Sequence, residues 1–261
     1  MDFSISSRQP DEILTKAQEI RIDFRDFSTI YNLIEKYPEK KFTVLINHNV
    51  SEENWIELQA IQEKLGNQFI VGLGSTNNLI RMAKERKLNW YLNQVVTNWR
   101  EFRSLKLAGA AQVLIGGPLL FSLDAIQKEK GHMLIRFIPN ISNYDPSFPY
   151  ENGIVGSWVR PDDIDLYANY LDICQFSSQF LSEESTLLRI YSEDKTWHGD
   201  LNKLIKDLDV SCNNRGLPQE IGENRINCGQ RCQRGSGCQF CFNAILFSEQ
   251  IKDLKHKGIS L

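Results

Sequence analysis

The sequence predicts an α/β protein: a (β/α)8 TIM-like barrel with a C-terminal cysteine-rich metal-binding module. Three observations carry this. Short β-rich runs recur at a nearly constant interval. Segments of helical period lie between them. Four of the six cysteines crowd into residues 228–241. Alternating strand and helix implies parallel βα units. The 261 residues are close to the length of about 250 that an eight-fold barrel usually takes.

The expected strands, in order, are Glu19–Phe24, Phe42–Asn47, Phe69–Leu73, Asn89–Asn93, Gln112–Gly116, Met133–Ile138, Ile154–Val159 and Leu171–Phe176. Between them, Phe27–Tyr37, Glu53–Leu65, Thr76–Lys87 and Asn98–Ala108 each place apolar residues on one helical face, for example Trp55, Leu58, Ile61 and Leu65. Ser51 caps one of these helices, and Ser75 or Thr76 the next. A doubly wound open sheet is the competing architecture. It expects a glycine fingerprint after the first strand, which this sequence lacks. The stretch from Pro139 to Gly153, with its prolines and with Tyr144, Phe148 and Tyr150, reads as a long loop over the barrel mouth. After the last strand, Ser182–Ser192 and Asp200–Leu208 read as helices. Composition changes at Val210, which divides a barrel over 1–209 from a cysteine module with a closing helix over 210–261.

With 30 Lys and Arg against 33 Asp and Glu, the net charge of −3 gives no global attraction to polyanions, though a local basic patch stays open. No apolar run is long enough to span a bilayer, and Met1–Pro10 reads as a polar segment without a signal-peptide core. The expectation is a cytoplasmic protein with reduced thiols.

The cysteines form C-x3-C-x5-C-x2-C over Cys228, Cys232, Cys238 and Cys241. Thiolates are soft ligands, and four of them suit tetrahedral Zn2+ or an iron–sulfur cluster. Gly229, Gly235 and Gly237 permit tight turns around the sulfurs, and Arg225, Arg231 and Arg234 offset their charge. Spacing leaves zinc and [4Fe-4S] both open. Cys212 is a possible replacement ligand, and Cys174 lies in a strand as a core residue.

The run Gln94-Val-Val-Thr97-Asn98, followed by Phe102, Ala108-Gly109-Ala110, Gln112–Ile115 and Ser122–Ile126, resembles the peptidase U32 (collagenase-like) family over about 35 residues near 93–127. The pair Cys228 and Cys232, preceded by Asn227, is similar to a C-x3-C pair in that family. The resemblance implies a TIM-type barrel, a [4Fe-4S] cluster, and hydroxylation-type chemistry on RNA or a small aromatic quinone precursor. Gly116-Gly117-Pro118-Leu119 stands where the family usually carries an Arg-Glu-Leu group.

In a barrel, functional side chains sit at the C-terminal ends of strands. His48 is the candidate general acid–base, with the alternative that it caps the following helix. Arg160 and Asp162 join it as candidate catalytic residues, and Asn93, Gln94, Arg136 and Trp158 as candidate substrate-binding residues. Arg160 and Asp162 equally fit a structural ion pair and a helix cap. No Ser-His-Asp signature, G-x-S-x-G elbow, P-loop or HExxH is present, so hydrolysis finds no support in the residues. Two functions fit. One is an iron–sulfur modification enzyme acting on RNA or a small aromatic molecule. The other is a non-catalytic, zinc-stabilised barrel that binds protein or nucleic acid within a larger assembly.

Overall fold

The computed structural model describes residues 1–139, 159–176, 183–193, 199 and 220–228. Eight strands form one sheet: β1 (Asp2–Ser6), β2 (Glu19–Asp23), β3 (Lys41–Ile46), β4 (Phe69–Leu73), β5 (Trp90–Leu92), β6 (Gln112–Ile115), β7 (Leu134–Phe137) and β8 (Ile173–Gln175). The order is β5-β4-β3-β2-β1-β8-β7-β6, so neighbours in the sheet are neighbours in the chain except where β1 meets β8. Every ladder is parallel. The two end strands approach each other. The Ala111 N–H donates to the Trp90 carbonyl at 2.8 Å, and Val96 bridges Ile115 in parallel. The sheet is therefore a nearly closed (β/α)8 barrel.

The helices are α1 (Asp11–Leu14), α2 (Ile30–Lys36), α3 (Glu52–Leu65), α4 (Asn77–Glu85), α5 (Trp99–Ala108), α6 (Leu123–Glu129), α7 (Ile164–Tyr167), α8 (Glu184–Ser192) and α9 (Ile221–Ile226). Local chemistry sets their ends. Ser51 Oγ accepts from the Asn54 N–H at 3.3 Å at the start of α3, and Asn98 Oδ1 accepts from the Glu101 N–H at 2.9 Å at the start of α5. Thr76 precedes α4 without a side-chain cap. Gly109 ends α5 at φ 82°, the left-handed conformation glycine adopts without steric cost.

The chain divides into two compact units. The first comprises Met1–Ile115, Lys130–Phe137 and Leu171–Ser185, and contains all eight strands. The second comprises Gly116–Glu129, Ile138–Tyr170 and Thr186–Leu261, and contains α6, α7 and α9. Within the second unit the Tyr191 hydroxyl donates to the Val159 carbonyl at 2.7 Å, and the Gln127 amide donates to the Tyr170 carbonyl.

Two strand expectations need correction. Met1–Pro10 reads as a polar lead-in, but Asp2–Ser6 is β1, the strand that pairs with both β2 and β8. Its alternation puts Phe3 against Phe176, with ring centroids 6.3 Å apart, and aims Ser4 into a polar interior. The expected strand Ile154–Val159 has no place between β7 and β8, because those two strands pair directly. Residues 154–158 lie outside the described residues, as do the expected loop over 140–153, the expected helix over 200–208 and the closing helix. Among the other helices, Phe27–Tyr37 divides into a 3-10 turn over Phe24–Thr29 and then α2.

Candidate functional site

The first unit holds an ionic network inside its barrel. Outward positions of the strands are apolar and fully buried, such as Ile20, Ile22, Phe42, Val44, Val113 and Ile135. Inward positions alternate with them and are largely polar. Arg136 on β7 is completely buried. Its Nη1 and Nη2 donate to Glu19 Oε1 and Oε2, each at 2.8 Å, a bidentate pair between β7 and β2. The same guanidinium donates to Gln112 at 2.8 and 3.2 Å, to Gln175 at 3.1 Å and to Ser4 at 3.2 Å. Ser4 Oγ donates to Glu19 Oε1 at 2.5 Å. β2 and β6 are not neighbours in the sheet, so these bonds cross the barrel interior.

The network sets its own protonation. Burial pushes the Glu19 carboxyl up, but the charge and hydrogen bonds of Arg136 outweigh it and hold Glu19 below the usual carboxylate range. Arg136 is likewise held above its ordinary value, with the Glu19 charge overcoming desolvation. The Arg136 guanidinium lies 4.6 Å from the centre of the Tyr91 ring, a buried cation–π contact. Gly72 on β4 gives Tyr91 its space. A Cβ there would meet the Tyr91 hydroxyl at 2.8 Å and Leu45 Cδ2 at 2.7 Å. One turn of side chains along β2, Arg21 pairs with Glu184 of α8, and the second oxygen of Glu184 accepts from the Ser6 N–H at 2.8 Å.

At the strand ends of this unit, Asp23 and Arg25 bind each other through two side-chain contacts of 3.0 and 2.7 Å. These bonds hold the Asp23 carboxyl down to about 2. His48 is exposed and stands edge-on to Phe24 at 5.6 Å. Asn93 is half-buried, with its N–H on the Leu73 carbonyl at 2.8 Å, and Gln94 is exposed. Arg136, expected at the mouth, instead spends its donors inside the barrel, because each acceptor around it comes from a different inward strand position.

The second unit holds the other sequence candidates. Arg160 is buried, with its guanidinium 3.6 Å from Asp162 and 3.9 Å from Asp163. Asp162 does not cap α7: Asp163 occupies that position, without a side-chain cap bond. Burial pushes the Asp163 carboxyl up to about 6, against the opposing pull of Arg160 and Arg225. Asp163 packs on the Cα side of Gly222 in α9, where a Cβ would come within 2.5 Å of its carboxyl carbon. Arg225 lies 4.9 Å over the Phe121 ring. Asn227 exchanges two bonds with Asp124: its Oδ1 accepts from the Asp124 N–H at 3.2 Å, and its Nδ2 donates to the Asp124 carboxylate at 2.7 Å. Cys228 follows directly, half-buried and not in a disulfide.

His48, Asn93, Gln94 and Arg136 thus fall in the first unit, and Arg160, Asp162 and Cys228 in the second. Trp158, Cys212, Cys232, Cys238 and Cys241 lie outside the described residues. Among the described residues no group of three or more His, Cys, Asp or Glu is arranged to hold a metal. Cys174 is on β8 and buried, which pushes its thiol up and leaves it a core residue. Sequence reading missed Glu19, Gln112 and Tyr91 as a network. Its signal was charge at every second position of Glu19-Ile-Arg21-Ile-Asp23.

No family model matches the chain, and no curated protein matches it. Solved structures similar to it include the 3-hexulose-6-phosphate synthase of Salmonella typhimurium, at 14% identity and a TM-score of 0.42, covering 73% of this chain and 98% of that one. A second 3-hexulose-6-phosphate synthase structure has 11% identity and a TM-score of 0.40, covering 74% of this chain and 100% of that one.

Proposed function

We propose that the chain is a U32-like barrel metalloprotein in which Cys228, Cys232, Cys238 and Cys241 hold a [4Fe-4S] cluster, and that it modifies RNA or a small aromatic substrate by hydroxylation-type chemistry. The observation that carries the reading is the seating of the first ligand. Asn227 and Asp124 fix the backbone just before Cys228, Arg225 covers Phe121, and the Cys228 thiol is half-buried and not in a disulfide. Three more thiols follow within 13 residues. Four soft donors that follow the buried Arg225 in the sequence fit an anionic thiolate centre. Such a cluster supplies one-electron chemistry when bound. The chain's own part is to place the ligand loop through α9, and to hold Arg160 and Asp163 buried beside that helix.

One observation favours the zinc-stabilised, non-catalytic alternative. Arg136 inside the barrel is saturated by protein acceptors, so its guanidinium is not offered to a substrate.

Anaerobic purification with iron, sulfide and zinc analysis separates the two. About four irons and four sulfides per chain, with broad visible absorption, support the cluster. About one zinc per chain and no colour support the structural module. Cys232→Ser lowers metal content in either case while the barrel stays folded. Unchanged metal stoichiometry in that variant overturns the ligand assignment.

A further inference from the structure

The outer surface carried by α4 and α5 is cationic in a chain that is not. Residues 77–107 contain seven Lys and Arg against two Glu, a net +5 within a total of −3. Arg81, Lys84, Lys87, Arg100, Arg103 and Lys106 are all exposed. On α4, Arg81 and Lys84 lie opposite the buried Leu79 and Ala83; on α5, Arg100, Arg103 and Lys106 lie opposite the buried Phe102 and Leu105. The three-residue spacing keeps each set on the solvent side of its helix. α4 and α5 are successive crossovers, from β4 to its partner β5 and from β5 onward, so their outer faces are adjacent on the barrel.

Arg86 is paired with Glu52 of α3, so the exposed cations carry the excess. Glu85 is engaged by Arg81 at 3.2 Å, and Glu101 belongs to the Asn98 cap. Arg103 stacks on Trp99 at 5.5 Å, which holds its guanidinium plane against the helix surface. The preceding crossover has the opposite sign: α3 carries Glu52, Glu53, Glu57 and Glu63 against Lys64. Charge is therefore segregated along the barrel wall and not merely scattered, which orients a polyanion as well as attracting it.

We propose that the α4–α5 face binds the phosphodiester backbone of RNA through these cations, without reading bases. This deepens the RNA form of the function proposed above and rests on it. An anionic membrane fits less well. Interfacial helices pair their cations with an apolar stripe, and on this face Leu107 is the exposed large hydrophobic residue among the described ones.

The test uses the full chain and a fluorescein-labelled single-stranded RNA of roughly 20 nucleotides, with anisotropy read across a salt series. The triple variant Lys84→Gln/Arg100→Gln/Arg103→Gln weakens binding about tenfold or more and flattens the slope of log K against log salt by about 2. The matched triple Lys16→Gln/Lys36→Gln/Lys64→Gln leaves affinity nearly unchanged. Equal binding of DNA of the same length supports backbone recognition. No RNA binding, equal losses in both triples, or binding to phosphatidylserine vesicles that RNA does not compete away overturns the proposal. Iron and zinc content, measured on the same samples, reports on the metal reading separately. An unchanged thermal midpoint shows that the variant is folded.

Discussion

Arg136 shows how one buried residue constrains the barrel. It is a cation with no solvent access, and it is tolerable only because Glu19 supplies the opposite charge and Ser4, Gln112 and Gln175 supply acceptors. Removing one partner strands the other. Arg136→Met is expected to cost about 3–5 kcal/mol in urea unfolding, and adding Glu19→Leu recovers much of that loss. A double variant no more stable than the single one would contradict the pairing. Because Glu19 is held below 4.5 in the folded state, its contribution is fully present above that value and fades as pH falls through the lower folded one. Asp163 has the reverse sign. Its carboxyl is raised from 3.8 to about 6, so burial costs nothing below 3.8, accrues between the two values, and is complete above about 6. The full cost is roughly 3 kcal/mol. Asp163→Asn is therefore expected to flatten the loss of stability between pH 4 and pH 6.5 in parallel urea titrations. An unchanged pH profile would show that Asp163 titrates normally.

At the scale of elements, α9 is the joint on which the cysteine reading depends. It is six residues long and too short to be helical by propensity alone. Its order comes from packing: Ile221 and Ile226 are buried, Gly222 lies on Asp163, and Arg225 lies on Phe121. Gly222→Ala pushes a methyl into the Asp163 carboxyl and is expected to destabilise the second unit by about 1–3 kcal/mol while lowering metal content. Normal metal loading in that variant would disconnect α9 from the ligand loop. β1 makes a different point. Asp2-Phe-Ser-Ile-Ser6 looks polar because three of its five side chains are hydrophilic, yet period-2 alternation puts the apolar pair, Phe3 and Ile5, outward and Ser4 onto Glu19.

At the scale of the molecule, most barrel elements were legible because their outer faces obey simple rules. The helices have a 3.6-residue apolar period, and the strands between them carry β-branched and aromatic residues under those helices. Asp2–Ser6 escapes the pattern, and its pairing with β2 and β8 shows it as a strand; β7 and β8 pair directly, and residues 154–158 lie outside the described ones. No helix among the described residues is long and apolar enough to cross a membrane.

The alternation of strand and helix, the cap at Ser51 and the clustering of thiols after residue 227 were legible in the sequence, because each depends on residues close together in the chain; the cap at Asn98 was not read there. Only the tertiary structure brings Glu19 and Arg136, 117 positions apart, into a buried bidentate ion pair and turns Arg136 to the barrel interior. It also decided that Asp124 and Asn227, 103 positions apart, lock the approach to Cys228. Long-range partners depend on barrel closure and strand register, and a local pattern carries no information about which inward side chain will meet which across the interior.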